Sequence, residues 1–434
     1  MIHENVKRVL KKNNEFTILT NNGTLLRLEN PEEEGLFNLV KDLDELPSDF
    51  MDNDMIKKLV GMRILKFRNY KDTGFSYPEY DLRLIDYEGT RPLYHAPIMA
   101  HLAIESACNM NCIYCSVRKS HRKQGKVLSV EEWKRVIDKL DKWGVGQITL
   151  TGGEPLLRIG NVIELLNYAK NKSPAVSLST NGLLVDEKTA RMLCEAGLKL
   201  CQLSLDSHVE DINSYLRGRG VRDKVLNAVR ILQRNGVTVG IDCVVSKKTI
   251  DKIPEFIEFL DRMGVPFLTL LKLKPGDLSD EDFKNLSPTF EEYSDLLRKV
   301  ASMQEKTKIK ITVDCGSVCN MQDAFSRKEM KTVPVMGCPL GHAQIVINPN
   351  GDVYPCAALL DEEFKLGNAL EDDLEKIWYE NKKLQNLRLV KTNVKGKCKA
   401  CPGLDICRGG CRGISKRVFN DVWREDPSCR FSSI

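Results

Sequence analysis

Three cysteines share one short loop in the segment Cys108-Asn109-Met110-Asn111-Cys112-Ile113-Tyr114-Cys115. Intervals of three and then two residues separate them, so the loop can wrap three corners of an iron–sulfur cubane. Three thiolates can hold three irons of a 4Fe–4S cluster and leave the fourth iron open to another ligand. Taken alone, the same spacing also suits a structural zinc site or a closed electron-transfer cluster.

A second set of cysteines follows toward the C-terminus. Its members are Cys338, Cys356, Cys398, Cys401, Cys407, Cys411 and Cys429. Seven thiolates exceed one tetrahedral zinc site and, with one more, are enough for two further clusters. This part of the chain has few aliphatic residues for a core around its cysteines, so metal clusters would supply the missing cross-links.

Between the two sets, apolar strands alternate with amphipathic helices. The predicted strands are 97–105, 147–151, 175–179, 200–205, 237–245 and 267–273. The predicted helices are 130–143, 162–170, 186–196, 223–235, 253–263 and 289–305. Six strands alternating with helices imply an α/β fold in which a parallel sheet curls into a partial barrel. The cysteine loop follows the first strand, at the carboxyl edge where such folds place their chemistry.

The cysteine loop, with Tyr114 before its last cysteine, resembles the signature of the radical S-adenosylmethionine (SAM) superfamily. The resemblance implies that the open iron chelates the amino and carboxylate groups of SAM. The reduced cluster then passes an electron to the sulfonium and releases a 5′-deoxyadenosyl radical, which removes hydrogen from the substrate. An external electron donor such as flavodoxin or ferredoxin is implied as a partner.

Residues at the ends of the next strands match the segments with which this superfamily holds SAM. Two glycines followed by an acid would hold the methionine amino group, an arginine would pair with the carboxylate, and an aromatic ring would pack near the adenine. The residues so implied are Tyr114, Gly152, Gly153, Glu154, Ser179, Asn181, Ser204, Asp206 and Arg217. Ser204 and Asp206 also suit a simpler role as caps of the next helix.

The second cysteine set resembles the SPASM domain at every interval, including the glycine at Gly351. The resemblance implies two auxiliary 4Fe–4S clusters, and so three clusters in all. The nearer one would be held by Cys338, Cys356 and Cys411, and the farther one by Cys398, Cys401, Cys407 and Cys429. Cys315 or Cys319 could complete the nearer cluster; if neither does, its open iron could accept a substrate thiolate.

The N-terminal segment has a hairpin pattern at 15–19 and 25–28, followed by short helices at 31–43 and 55–65. This order of elements resembles the RiPP recognition element, a winged-helix-like domain that binds the leaders of ribosomally made precursor peptides. DNA binding by a winged helix is disfavoured, because residues 1–60 hold 8 basic against 12 acidic residues. The predicted domains are therefore leader-binding (1–68), linker (69–96), radical SAM (97–308) and SPASM (309–434).

Composition and charge limit the possible cellular location and partners of the protein. The 434 residues carry a net charge of +5, too small to indicate bulk nucleic-acid binding, and no stretch approaches the ~18 apolar residues of a membrane span. The first residues lack the apolar core of a signal peptide, and 15 cysteines in a chain without an export signal favour metal ligation over disulfides. We expect a cytoplasmic protein with neither nucleic acid nor membrane as partner.

These patterns together predict an enzyme that cross-links a precursor peptide through hydrogen abstraction. The preferred bond is a thioether between a cysteine and a carbon, as in sactipeptide and ranthipeptide maturases. A carbon–carbon link, as in streptide-type maturases, stays open, as does the maturation of a protein subunit of quinoprotein or sulfatase type. A plain electron carrier conflicts with the Gly152-Gly153-Glu154 segment and the open iron. The basic loop 118–126 is hypothesised to attract an acidic core peptide.

Overall fold

The computed structural model describes residues 96–117, 127–304, 306–314, 338–401 and 404–429, together with five N-terminal strand segments. Several predictions of the sequence analysis lie outside these residues. They are the helices 31–43 and 55–65, most of the linker 69–96, the basic loop 118–126, and the two candidate ligands Cys315 and Cys319.

The N-terminal segment contains a small antiparallel sheet with the order β1-β2-β3. Its strands are β1 (Val6–Lys12), β2 (Glu15–Thr20) and β3 (Leu25–Leu28). The predicted hairpin is confirmed, since Phe16 pairs with Leu28 and Leu19 with Leu25. Strand β1, which the charged start of the chain does not suggest, is a third member of the sheet. A separate pair consists of β4 (Leu84–Ile85) and β5 (Leu93–Tyr94).

A ten-stranded sheet follows, in the order β12-β11-β10-β9-β8-β7-β6-β13-β14-β15. Its first seven strands in the chain are β6 (Met99–Glu105), β7 (Gln147–Gly152), β8 (Ala175–Thr180), β9 (Leu200–Ser204), β10 (Thr238–Val245), β11 (Phe267–Lys272) and β12 (Lys310–Val313). Strands β8 to β12 pair in parallel. Because β6 and β12 are not neighbours, the barrel is open, and the predicted α/β class is confirmed.

Helices connect these strands. They are α1 (Val130–Trp143), α2 (Ile159–Ala169), α3 (Glu187–Glu195), α4 (Glu210–Arg217), α5 (Val221–Arg234), α6 (Ile253–Arg262), α7 (Asp280–Leu286) and α8 (Phe290–Gln304). In β9 alternate residues are buried, and Cys201 and Leu203 form the buried face. The opposite face carries polar residues such as Gln202 and Ser204 toward the barrel interior.

The last part of the chain continues the same sheet. Strands β13 (Gln344–Ile347), β14 (Asp352–Tyr354) and β15 (Gly367–Asn368) extend it beyond β6, and the predicted turn at 348–352 joins β13 to β14. Short helices follow: α9 (Leu374–Glu380), α10 (Lys382–Arg388), α11 (Val390–Asn393), α12 (Leu404–Cys407) and α13 (Arg412–Phe419). The cysteine-rich part therefore shares a sheet with the barrel. Within the described residues, no helix has the length and apolar character of a membrane span.

Candidate functional site

A cavity of about 590 Å³ opens at the carboxyl ends of the barrel strands. Residues from the cysteine loop and from the ends of β7, β8, β9, β10 and β11 all line it, so the sheet must curve around it. Its volume falls in the range of roughly 300–1,000 Å³ that is usual for small-molecule and cofactor sites. The predicted site residues that line it are Cys108, Cys112, Tyr114, Cys115, Gly152, Gly153, Ser179, Asn181, Ser204 and Arg217.

The two glycines after β7 run against the start of the cysteine loop. The Gly153 N–H donates to the Glu105 carbonyl (2.7 Å), and the Glu154 N–H donates to the Ala107 carbonyl (2.8 Å). A Cβ on Gly153 would lie 2.2 Å from the Ala107 oxygen, and one on Gly152 would lie 2.3 Å from the Glu105 oxygen. Glycine is needed here because backbone packs directly on backbone. The segment thus holds the cysteine loop in place.

Glu154 lies behind the cavity wall and is fully buried. Its carboxylate accepts hydrogen bonds from Thr180 Oγ1 (2.6 Å), the Asn181 N–H (2.8 Å) and the Leu156 N–H (2.9 Å). Burial raises the pKa of this carboxyl, and the three donors partly offset that rise. Glu154 therefore joins the ends of β7 and β8 and shapes the cavity through its neighbours.

Asp206 also lies behind the wall, and it ties three elements together. Its carboxylate accepts from Arg217 Nε (2.8 Å) and Nη2 (3.2 Å), from the Val244 N–H (2.9 Å) and from the Tyr114 hydroxyl. Burial raises the pKa of Tyr114 well above its ordinary value, so the phenol stays protonated and donates. The predicted carboxylate partner Arg217 is thus already held by a buried acid, although it still lines the cavity.

Two charged cavity residues were missed by the sequence analysis. Lys272 is the last residue of β11 and Lys274 lies two residues beyond it, and together with Arg217 they give the lining three cations, while none of its described residues is acidic. Each lysine is paired away from the cavity, Lys272 with Asp426 (2.6 Å) and Lys274 with Asp314 (2.9 Å). Their position at the carboxyl end of a barrel strand is the signal that could have found them.

Glu105 ends β6 immediately before the cysteine loop. Its carboxylate accepts from the Ser106 N–H (2.7 Å), the Ala107 N–H (2.9 Å) and Arg158 Nε. Burial alone would raise the pKa of Glu105, but these donors and the charge of Arg158 bring it below the ordinary value. Glu105 therefore fixes the first residues of the loop as an ionised acceptor.

We expect Glu105→Gln to lower the free energy of unfolding by about 2 kcal/mol at neutral pH, because hydrogen bonds to a charged acceptor are lost. A lowered folded-state pKa stabilises the fold fully above the ordinary value of 4.5, and this contribution is lost as the pH falls below it. Thermal melts of both proteins should therefore differ at pH 7 and converge toward pH 4. A constant difference at every pH would contradict this role.

The C-terminal cysteines form two groups in space. Cys338, Cys356 and Cys411 are buried near one another. Burial is the main cause that raises the pKa of Cys338 and Cys356, and the neighbouring thiols of this group raise it further. Burial also raises the pKa of Cys398 to about 12, with the thiols of Cys429, Cys407 and Cys401 contributing. The resemblance implied the same two sets as cluster ligands, and their role as ligands stays a prediction.

The donor sets suit iron–sulfur clusters better than single ions. No group of three His, Cys, Asp or Glu side chains in the described residues closes on one metal ion. A cubane needs only one thiolate at each iron, so its ligands stand farther apart. Burial raises the pKa of Cys108 and Cys112, so binding of iron must displace thiol protons.

Comparison with known proteins identifies two domains in this chain. Residues 104–260 match the family model of the radical SAM superfamily, and residues 338–402 match that of the SPASM iron–sulfur cluster-binding domain. The predicted radical SAM and SPASM domains are therefore confirmed. A radical SAM domain binds SAM and a 4Fe–4S cluster, and a SPASM domain implies further iron–sulfur clusters.

Two curated relatives differ in what they act on. A mycofactocin maturase of Mycolicibacterium smegmatis is 28% identical over 336 residues, which covers 77% of this chain and 83% of the relative. An AdoMet-dependent heme synthase of Methanosarcina barkeri is 27% identical over 349 residues, covering 77% of this chain and 97% of the relative.

Among solved structures, SuiB of Streptococcus suis bound to S-adenosylmethionine matches with a TM-score of 0.68 at 20% identity. That match covers 99% of this chain and 100% of SuiB. SuiB bound to its precursor peptide SuiA matches with a TM-score of 0.66 at 18% identity, again over 99% of this chain. At these identities the likeness shows a common fold.

Proposed function

This chain carries a radical SAM domain followed by a SPASM domain, and from that premise we propose that it is a peptide maturase. Its reaction is the cross-linking of a ribosomally made precursor peptide. The observation that carries the proposal is the three-cysteine loop that lines a cavity of about 590 Å³, in a barrel whose sheet continues into the part of the chain that holds the other cysteine groups. The mycofactocin maturase and the precursor-bound SuiB structure support a peptide as substrate.

In this proposal Cys108, Cys112 and Cys115 hold the first cluster. SAM bound to such a cluster supplies a 5′-deoxyadenosyl radical that removes a hydrogen atom from the substrate. Arg217, oriented by Asp206, binds the SAM carboxylate, and Ser179, Asn181 and Ser204 contact SAM from the strand ends. Gly152, Gly153 and Glu154 hold the cysteine loop in position beside these residues. Tyr114 anchors the same loop because its hydroxyl donates to Asp206.

The second cysteine set holds the auxiliary clusters. Cys338, Cys356 and Cys411 are the proposed ligands of the nearer one, which Cys315 or Cys319 would complete. Cys398, Cys401, Cys407 and Cys429 are the proposed ligands of the farther one. Formation of a cross-link removes two hydrogens from the peptide: one leaves as an atom to the adenosyl carbon, and the other as a proton plus an electron. Auxiliary clusters suit the acceptance of that electron.

For the bond itself we propose a thioether between a cysteine sulfur and a carbon of the core peptide. The alternative is a carbon–carbon bond, whose formation also removes two hydrogens from the peptide. The electron that starts each turnover would come from an external donor such as flavodoxin or ferredoxin. A cytoplasmic location stays a prediction.

The leader of the precursor is proposed to bind the N-terminal domain of residues 1–68. Among the strands that the structure describes, the order β1-β2-β3 leaves β1 and β3 at the edges of this sheet, and an extended peptide can add to such an edge. The fold of SuiB, which was solved with its precursor peptide SuiA, matches 99% of this chain, and this supports a peptide as substrate.

The proposal is tested with a short cysteine-containing peptide encoded beside this protein. The peptide is co-expressed with the protein, and both are then assayed under anaerobic conditions with SAM and dithionite. The products are measured by mass spectrometry. We expect 5′-deoxyadenosine and a peptide that is two hydrogens lighter for each event. A thioether also removes one thiol from reaction with iodoacetamide, whereas a carbon–carbon bond leaves every thiol reactive. The Cys112→Ala variant is the control and should give neither product.

Two results would count against the proposal. Formation of 5′-deoxyadenosine with a peptide of unchanged mass would remove the cross-linking reaction and leave a radical SAM enzyme with another substrate. Modification of a leaderless peptide at an unchanged rate would remove the role of residues 1–68.

A further inference from the structure

Arg412 is a buried cation in the cysteine-rich region. It is 1% exposed and begins helix α13 directly after Cys411. A positive charge in the first turn of a helix is opposed by the helix dipole, and a buried charge is costly unless it is compensated. Its position therefore needs a compensating negative charge.

Within the described residues, no carboxylate supplies that charge. The guanidinium donates only to backbone carbonyls, with Nη1 bonded to Val422 (2.9 Å) and Arg424 (2.8 Å). Nε reaches the Gly410 carbonyl at 3.4 Å, and Nη2 donates to the Gly409 carbonyl. These bonds use four of its five N–H groups but leave its full charge uncompensated.

The same contacts place Arg412 between the two cysteine groups. Gly409 and Gly410 form the turn between Cys407 and Cys411, while Val422 and Arg424 precede Cys429. The glycines make room for it, since a Cβ on Gly409 would lie 2.7 Å from the guanidinium. Its guanidinium therefore lies against the turn that joins Cys407 to Cys411 and against the segment that precedes Cys429, so its charge lies beside members of both groups.

Other charges near these cysteines behave differently. Asp426 accepts from the Cys411 N–H (2.9 Å), but its charge is matched by Lys272 at 2.6 Å, so the pair adds no net charge. Arg408 donates to the Cys338 carbonyl (3.0 Å) and adds a second cation on the side of the nearer group. Arg412 is the cation that faces both groups.

We propose that Arg412 is the permanent counter-charge of the two auxiliary clusters and raises their reduction potentials. A cluster held by thiolates is anionic and becomes more so when it gains an electron, so a fixed cation beside it favours the reduced state. Arg412 forms no bond to the substrate and gives up no proton; its role is electrostatic positioning. The inference rests on the proposed function in one respect: the electron that the auxiliary clusters accept is the one released when the peptide is cross-linked.

The test compares Arg412→Gln, which removes the charge, with Arg412→Lys, which keeps it. Each full-length protein is loaded with iron and sulfide under anaerobic conditions, and the midpoint potentials are measured by a redox titration followed by electron paramagnetic resonance. We expect Arg412→Gln to lower the midpoint potentials of the auxiliary clusters. At a fixed applied potential the ratio of reduced to oxidised cluster should fall at least tenfold, which corresponds to about 59 mV for a one-electron couple. Arg412→Lys and the SAM-binding cluster should stay near wild type.

Arg417→Gln is the matched control, because Arg417 lies on the same helix with its side chain 43% exposed. It should leave all potentials unchanged. Failure of Arg412→Gln to take up iron, with normal loading and potentials in Arg412→Lys, would also support the counter-charge.

Unchanged potentials in a loaded Arg412→Gln protein would overturn the proposal. So would equal shifts, or equal loss of iron, in the Gln and Lys variants, since that pattern assigns Arg412 to hydrogen bonding alone. No peptide is needed for these measurements, so they stand even if cross-linking is not observed.

Discussion

The Gly153→Ala variant should lose the SAM-binding cluster and with it the formation of 5′-deoxyadenosine, down to the level of a no-enzyme control. The added methyl group would lie 2.2 Å from the Ala107 oxygen and 2.7 Å from the Ser106 oxygen, and both are backbone atoms of the cysteine loop. Neither atom can move without shifting Cys108. Overpacking of this kind costs about 1–3 kcal/mol in stability, and here the strain falls on the ligand loop.

Gly160→Ala is the control for that experiment. Gly160 lies in helix α2, and a Cβ there would meet no atom within 4 Å. Alanine is the better helix former, so this variant should keep its iron and gain up to ~1 kcal/mol in stability. Iron content and 5′-deoxyadenosine are measured for both variants. A Gly153→Ala protein with full iron content and SAM cleavage would show that the loop does not need this close approach.

Arg217→Met should destabilise the protein by about 3–5 kcal/mol, because it leaves the Asp206 carboxylate buried without its ion-pair partner. The side chains of Arg217 and Asp206 are 7% and 0% exposed, so water cannot replace the lost interaction. If Arg217 also binds the SAM carboxylate, SAM affinity should fall at the same time. Urea titration measures the first effect, and equilibrium binding of SAM to the loaded protein measures the second.

The double variant Arg217→Met/Asp206→Asn separates the two roles. Removal of both charges should restore much of the lost stability, since neither partner is then left buried alone. It should not restore SAM affinity, because the cation that lines the cavity is still missing. Recovery of both properties in the double variant would mean that Arg217 is a structural residue with no part in SAM binding.

Local sequence patterns were sufficient to predict the strands and the longer helices of the barrel. Helix α1 matches its predicted bounds, and strands β6 to β11 lie within two residues of theirs at either end. Alternation and helical spacing depend on neighbouring residues, so a single sequence displays them directly. The helices α7 and α9 to α13 were not predicted, because they have four to eight residues each, too few to display a helical period.

The sequence by itself determined the chemistry of this protein, since cysteine spacing is a local property that states how many thiolates one loop can offer to a cluster. Only the tertiary structure decided what holds those loops. Tyr114 and Asp206 are 92 residues apart in the chain, Glu154 reaches across to the end of β8, and Lys272 meets Asp426 from 154 residues away. Such contacts depend on which strand ends the fold brings together, and no spacing along the chain records that. The same reason explains why Arg412, an ordinary basic residue in the sequence, becomes a buried charge between two cysteine groups only when the chain is folded.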